Sequence, residues 1–106
     1  MSESDLVRGC LHLLELRGIF AWRNNTGAMK NDKGRPVRFG RVGSADILAV
    51  LPKTGRFFSI ECKVGRNKPT AAQRAWAADI NENGGLAVVV YELDELDEAL
   101  RETERK

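Results

Sequence analysis

Two apolar runs, Ala45 to Leu51 and Arg56 to Lys63, lie on either side of Pro52-Lys53-Thr54-Gly55, and each carries an acidic side chain within it. The spacer has turn chemistry, because proline presets φ and glycine accepts positive φ. This pattern predicts a β-hairpin, the tightest constraint on folding anywhere in the chain. A hairpin closing about Lys53-Thr54 sets residue 46 directly opposite residue 61, with paired Cβ atoms about 4.5 to 5.5 Å apart. A bulge at Gly55 would shift the register by one.

Asp46 interrupts Ala45-Asp46-Ile47-Leu48-Ala49-Val50, and Glu61 follows Phe57-Phe58-Ser59-Ile60. A carboxylate among apolar neighbours is costly unless compensated. Two such groups close together repel, so either one takes up a proton or a divalent cation lies between them. The cation explains the pair better, and hard oxygen ligands suit Mg2+ or Mn2+, ions that also engage substrate phosphate. Lys63 lies two residues beyond Glu61, so strand alternation puts its ammonium on the same face, beside the metal site and a scissile phosphate. The result is Asp-x14-Glu-x-Lys. Glu-x-Lys alone is common; its weight here comes from its place at the end of a buried strand opposite a second carboxylate. The competing reading is a structural salt-bridge cluster.

Around this hairpin the chain predicts one mixed sheet with helices packed on it, in the order αβββαβα. Leu6, Val7, Cys10, Leu11 and Leu14 recur at helical spacing over about residues 3 to 17, with Ser2 as N-cap and Gly18 as the stop. Ile19 to Arg23 reads as a strand, and Asn24 to Gly43 as a mobile connection without apolar period. Thr70-Ala71-Ala72-Gln73 has the form of a capping box, opening a helix that Asn83, Gly84 and Gly85 end. Leu86 to Tyr91 reads as a buried strand, and Leu93, Leu96 and Leu100 mark an amphipathic last helix, a solvated cap more than an interface. Two further residues are candidates for the site. Glu3, in the first helical turn, either reaches the metal or simply complements the helix dipole. Gln73 either orients the attacking water or closes the capping box with Thr70.

Length and charge limit the function classes. The 106 residues fit a single domain, 1–106, small enough to gain stability by association. No run approaches the roughly 20 apolar residues of a membrane span, and Met-Ser-Glu-Ser-Asp lacks the regions of a signal peptide, so a cytoplasmic protein without membrane contact is expected. Cys10 and Cys62 sit in apolar patterns without metal-ligand spacing and read as buried thiols. Glu92 to Lys106 hold seven acids and three bases, which leaves fourteen bases against eight acids in the rest. Arg23, Lys30, Lys33, Arg35, Arg38 and Arg41 face only Asp32 in their stretch, the footprint of a phosphate-contacting loop, although a solvated basic loop has the same composition. His12 has no second ligand at useful spacing. Trp22 and Trp76 read as core aromatics more than as base-stacking platforms.

The sequence also resembles the virus-type replication and repair nuclease (VRR-NUC) domain of the PD-(D/E)xK superfamily over nearly its whole length. The stretches that carry the resemblance are Trp22-Arg23-Asn24-Asn25-Thr26-Gly27, Arg38-Phe39-Gly40-Arg41-Val42-Gly43-Ser44-Ala45-Asp46, Ile60-Glu61-Cys62-Lys63, and Pro69-Thr70-Ala71-Ala72-Gln73 followed by Gly84-Gly85. It implies a restriction-endonuclease-like αβββαβ core with a C-terminal helix. It also implies catalytic roles for Glu3, Asp46, Glu61, Lys63 and Gln73, with metal held by Glu3, Asp46, Glu61 and the main-chain carbonyl of Cys62. Cysteine stands where the family commonly has valine, which leaves a carbonyl role untouched. The DNA-contacting set would be Arg23, Asn24, Asn25, Arg38, Arg41, Ser44, Arg66 and Lys68. Stand-alone members of bacterial or phage-infected cells imply a homodimer that cuts branched DNA such as four-way (Holliday) junctions. Two rivals remain at this point: a catalytically silent DNA-binding module, and a nuclease of flaps or ends that uses the same chemistry.

Overall fold

The computed structural model describes residues 1–105. Helix α1 (Glu3–Leu16) starts on a closed capping box: the Ser2 hydroxyl accepts from Asp5 N at 3.1 Å and the Asp5 carboxylate accepts from Ser2 N at 2.9 Å. Its apolar stripe, Leu6, Val7, Cys10 and Leu14, is fully buried. Strand β1 (Phe20–Arg23) follows, and then the chain departs from expectation. The segment read as a structureless connection forms an antiparallel hairpin, β2 (Gly27–Lys30) and β3 (Pro36–Phe39), a separate two-stranded sheet. Every residue of both strands is exposed, so the burial signal by which strands are found in a sequence is missing.

Strand β4 (Ile47–Val50) lies between β1 and β5 (Phe57–Cys62), antiparallel to both, and β6 (Leu86–Val90) joins β5 in parallel. A parallel neighbour needs a crossover connection, supplied here by α2 (Ala71–Glu82). The pairs Ile47↔Ile60 and Val50↔Phe57 are the register expected from a turn centred on Lys53-Thr54, with no slip at Gly55. Helix α3 (Leu93–Glu104) is the last element of the described residues.

Alternation along the strands sorts the two faces of the four-stranded sheet. Ile47, Ala49, Phe58, Ile60, Cys62 and Val90 pack with the α1 stripe and with Leu96 and Leu100 of α3 in one apolar core. The acidic last helix is thus a core element, tied to the C-cap of α1 by an Arg17–Asp97 ion pair. On the opposite face lie Phe57, Ser59 and Glu61, against α2: the Trp76 indole N–H donates to Ser59 Oγ at 3.2 Å, and its ring meets Phe57 edge-on. Trp76 is half-buried there. Trp22, expected in the core, is 41% exposed and lies against the still more exposed Phe20, ring centroids 5.3 Å apart. The reason is parity: Ile19 and Ala21 take the core side of this short strand, and Phe20 and Trp22 are left on the side that α2 leaves open. Among the described residues no helix is long and apolar enough to cross a membrane.

One close approach fixes the loop before β4. Gly43 has φ +82°, and a Cβ there would lie 2.5 Å from the carbonyl oxygen of Ala72, in the first turn of α2. At Gly18, φ is +69° with open space around it. Gly18→Ala is therefore expected to cost about 1 kcal/mol of backbone strain. Gly43→Ala adds a backbone collision to the same strain and should cost at least about 2 kcal/mol. Urea denaturation of both variants checks the order.

Candidate active site

The antiparallel register brings the start of β4 and the end of β5 together at one end of the two inner strands. Asp46 and Glu61 therefore meet just beyond the Ile47↔Ile60 pair. The N-terminal turn of α1 lies at that same end and supplies Glu3. Carboxylate oxygens of Glu3, Asp46 and Glu61 all lie within 4.8 Å of one another. Glu3 and Asp46 are half-buried, whereas Glu61 is only 6% exposed.

Asp46 and Glu61 are each held by an identifiable partner. Asp46 Oδ2 accepts from the backbone N–H of Cys62 at 2.8 Å, so a side chain of one strand is fixed by the main chain of the next. Glu61 Oε2 accepts from Gln73 Nε2 at 3.1 Å and has Lys63 Nζ at 3.8 Å. Lys63 is itself buried. The two readings of Gln73 both hold at once. Its amide oxygen accepts from Thr70 N at 2.9 Å and its backbone N–H donates to Thr70 Oγ1 at 3.2 Å, completing the capping box, while its amide nitrogen turns to Glu61. A primary amide has separate donor and acceptor ends, so one side chain caps the helix and braces the site.

Burial pushes the Glu61 carboxyl up to about 8, the neighbouring Asp46 charge adds to the effect, and Lys63 only partly opposes it. Three carboxylates beside one ammonium leave an excess of negative charge in a partly buried place. This donor set fits a hard divalent cation, which would replace the proton on Glu61 and balance the cluster. Cys62 contributes nothing from its side chain. Its sulfur sits in the core 3.9 Å from that of Cys10, and both thiols are free and buried.

No family model and no curated protein matches the sequence. Among solved structures, one described as a VRR_NUC domain aligns with a TM-score of 0.69, covering 93% of this chain and 94% of that one at 20% identity. The fold is that of a VRR_NUC domain. The mixed sheet with three helices expected from the resemblance is thus what the chain forms, with the β2–β3 hairpin added to it.

The residues expected to contact DNA separate into two groups. Arg23, Asn25, Arg38, Arg41, Arg66 and Lys68 are exposed. Asn24 and Ser44 instead turn inward to each other: Asn24 Nδ2 donates to Ser44 Oγ at 2.7 Å and to the Ala45 carbonyl at 2.8 Å, and Asn24 N donates to the Asp46 carbonyl at 2.7 Å. Ser44 Oγ in turn donates to the Arg41 carbonyl at 2.6 Å. These bonds clamp the backbone that delivers Asp46, a role the sequence did not signal. Tyr91 was missed as well; its hydroxyl donates to the Asn67 carbonyl at 2.7 Å and props the loop that carries Arg66 and Lys68.

The Glu61 shift has a consequence for stability. In the folded protein the carboxyl keeps its proton up to about pH 8, whereas the unfolded chain releases it near 4.5. A folded pKa above the unfolded one gives stability that is complete below the unfolded value and is lost as pH rises through the folded value. The metal-free protein is expected to weaken steadily between about pH 4.5 and pH 8. Glu61→Gln has no proton to lose and should flatten that part of the profile, as urea melts across this range would show.

Proposed function

We propose that this protein is a Mg2+- or Mn2+-dependent endonuclease that hydrolyses phosphodiesters in branched DNA, four-way junctions in particular. The observation that carries this reading is the meeting of the Glu3, Asp46 and Glu61 carboxylates within 4.8 Å, with the Lys63 ammonium 3.8 Å from Glu61. A purely structural ion-pair cluster has no need of three acids on one lysine, whereas a metal and a phosphodiester account for both the charge and the open edge of the site.

Asp46, Glu61, Glu3 and the main-chain carbonyl of Cys62 would hold the ion. When bound, it polarises a phosphoryl oxygen and makes a water molecule a better nucleophile at neutral pH. Lys63, desolvated and held beside Glu61, meets the negative charge that develops on the phosphate. Gln73 fixes the Glu61 carboxylate through its amide and so orients the attack on phosphorus. Asp46 is kept from rotating by the Cys62 N–H, which leaves its geometry set before substrate arrives. Arg23, Arg38, Arg41, Arg66 and Lys68 grip flanking phosphates. A homodimer would bring two such sites to a symmetric junction, and the open half of the sheet around Phe20 and Trp22 offers apolar surface for it. A cytoplasmic location fits that substrate.

The test separates metal binding from chemistry. Asp46→Asn should abolish the manganese-linked rise in melting temperature and lower cleavage of a labelled four-way junction by at least about 100-fold. Lys63→Ala should lower cleavage by a similar factor and keep the manganese-linked rise. Unchanged cleavage in either variant would remove the mechanism; binding of DNA without cutting or metal uptake in the wild type would favour a silent binding module.

A further inference from the structure

The β2–β3 hairpin has two chemically different faces, both in solvent. Cross-strand pairing puts Met29 with Val37 and Gly27 with Phe39 on one side, and Ala28 with Arg38 and Lys30 with Pro36 on the other. Met29 is 62% exposed and Val37 41%. The Phe39 ring lies across Gly27, where a Cβ would come within 2.9 Å of it, so Phe39 has a structural task within the hairpin. Met29 and Val37 are a cross-strand pair left open to solvent.

A lone hairpin gains little from burial, so something else must keep this one in shape. At its tip the Asn31 side-chain oxygen accepts from Lys33 N at 2.9 Å and from Arg35 N at 3.0 Å, and Asn31 N donates to the Arg35 carbonyl at 2.8 Å. The tip therefore presents Lys33 and Arg35 from an ordered turn. At its root the Asn24–Ser44 hydrogen bond and the packing of Gly43 on α2 fix the hairpin two residues before Asp46. The molecule is elongated, 52 by 32 by 25 Å, as expected of a core with an arm standing off it.

We propose that this hairpin is the arm that recognises a branch point in DNA. Lys30, Lys33, Arg35 and Arg38 lie along phosphates, and Met29 and Val37 rest on the base-pair face that is uncovered where duplexes part. The charge on the arm, four bases against Asp32, selects a polyanion. The apolar side narrows the choice further, because a continuous duplex keeps its base faces stacked and offers only phosphates and polar groove edges. A branch exposes an apolar base face directly beside phosphates, and methionine is among the side chains that proteins lay against unstacked bases. Because the arm is rooted at the segment carrying Asp46, seating it on the branch sets where the active site meets the strand. This inference rests on the nuclease reading for its purpose, but its test does not require cutting.

Affinities for a four-way junction and for a linear duplex of equal length are measured by fluorescence anisotropy without divalent metal. The wild type should prefer the junction. M29S/V37S, a change confined to solvent-exposed positions, should lower the junction-to-duplex affinity ratio by about tenfold, with the manganese-linked melting shift retained as proof of an intact fold and site. Lys30→Gln with Arg38→Gln should weaken both DNAs alike and reduce the slope of log affinity against log salt by about two. A wild-type ratio near one, or an unchanged ratio in M29S/V37S, overturns the proposal. So does conversion of a dimer to a monomer in M29S/V37S at unchanged DNA affinity, which would assign the apolar face to a second copy of the chain. Failure of the wild type to cut DNA with manganese would sink the nuclease reading and leave the affinity result to be judged separately.

Discussion

Backbone pairing between β4 and β5 is the constraint on which the site depends. Because the strands run antiparallel with Ile47 opposite Ile60, the acid at the beginning of one strand and the acid at the end of the other share one end and one face of the sheet. A slip of one residue would send Glu61 into the apolar core and Cys62 toward α2, since side chains alternate along a strand. The Cys62 N–H bond to Asp46 reinforces the same register from the side-chain level.

The cluster sits in tension with the stability of the fold. Burial and the proximity of Asp46 disfavour charge on Glu61, and a single lysine does not offset three acids. The protein contains this strain with a small number of directed bonds: Cys62 N to Asp46, Gln73 to Glu61, and Asn24 to the backbone before Asp46. Among the described residues no buried side-chain polar atom lacks a hydrogen-bond partner. The groups thus remain fixed although their charges are not balanced, which is the state in which an added cation gains most.

Legibility from sequence followed the range of the interactions. The Ser2 N-cap, the Thr70–Gln73 capping box, the turn at Pro52 to Gly55 and the Asp46/Glu61/Lys63 set could be read because each follows from residues close in sequence or from strand alternation. The β2–β3 hairpin could not, since strands exposed on both faces carry no burial pattern and this one is shaped by Asn31 at its tip. Trp22 was misplaced for a related reason: a large aromatic side chain suggests a core, but its orientation is decided by its parity with Ala21 and by how far α2 extends over the sheet. Asn24 and Ser44 read from sequence as part of the DNA-contacting set, and only their proximity across the hairpin root shows their side chains bonded to each other.

The order of most elements, the register of the central hairpin and the facing of two acids and a lysine were determined by the sequence itself, because they depend on periodicity and turn chemistry over short spans. The convergence of Glu3 with acids distant in the chain, the double duty of Gln73 and the open half of the sheet were decided by the tertiary structure. Those features depend on where α1 and α2 dock, and docking is set by burial summed over the whole core, which no local pattern of residues encodes.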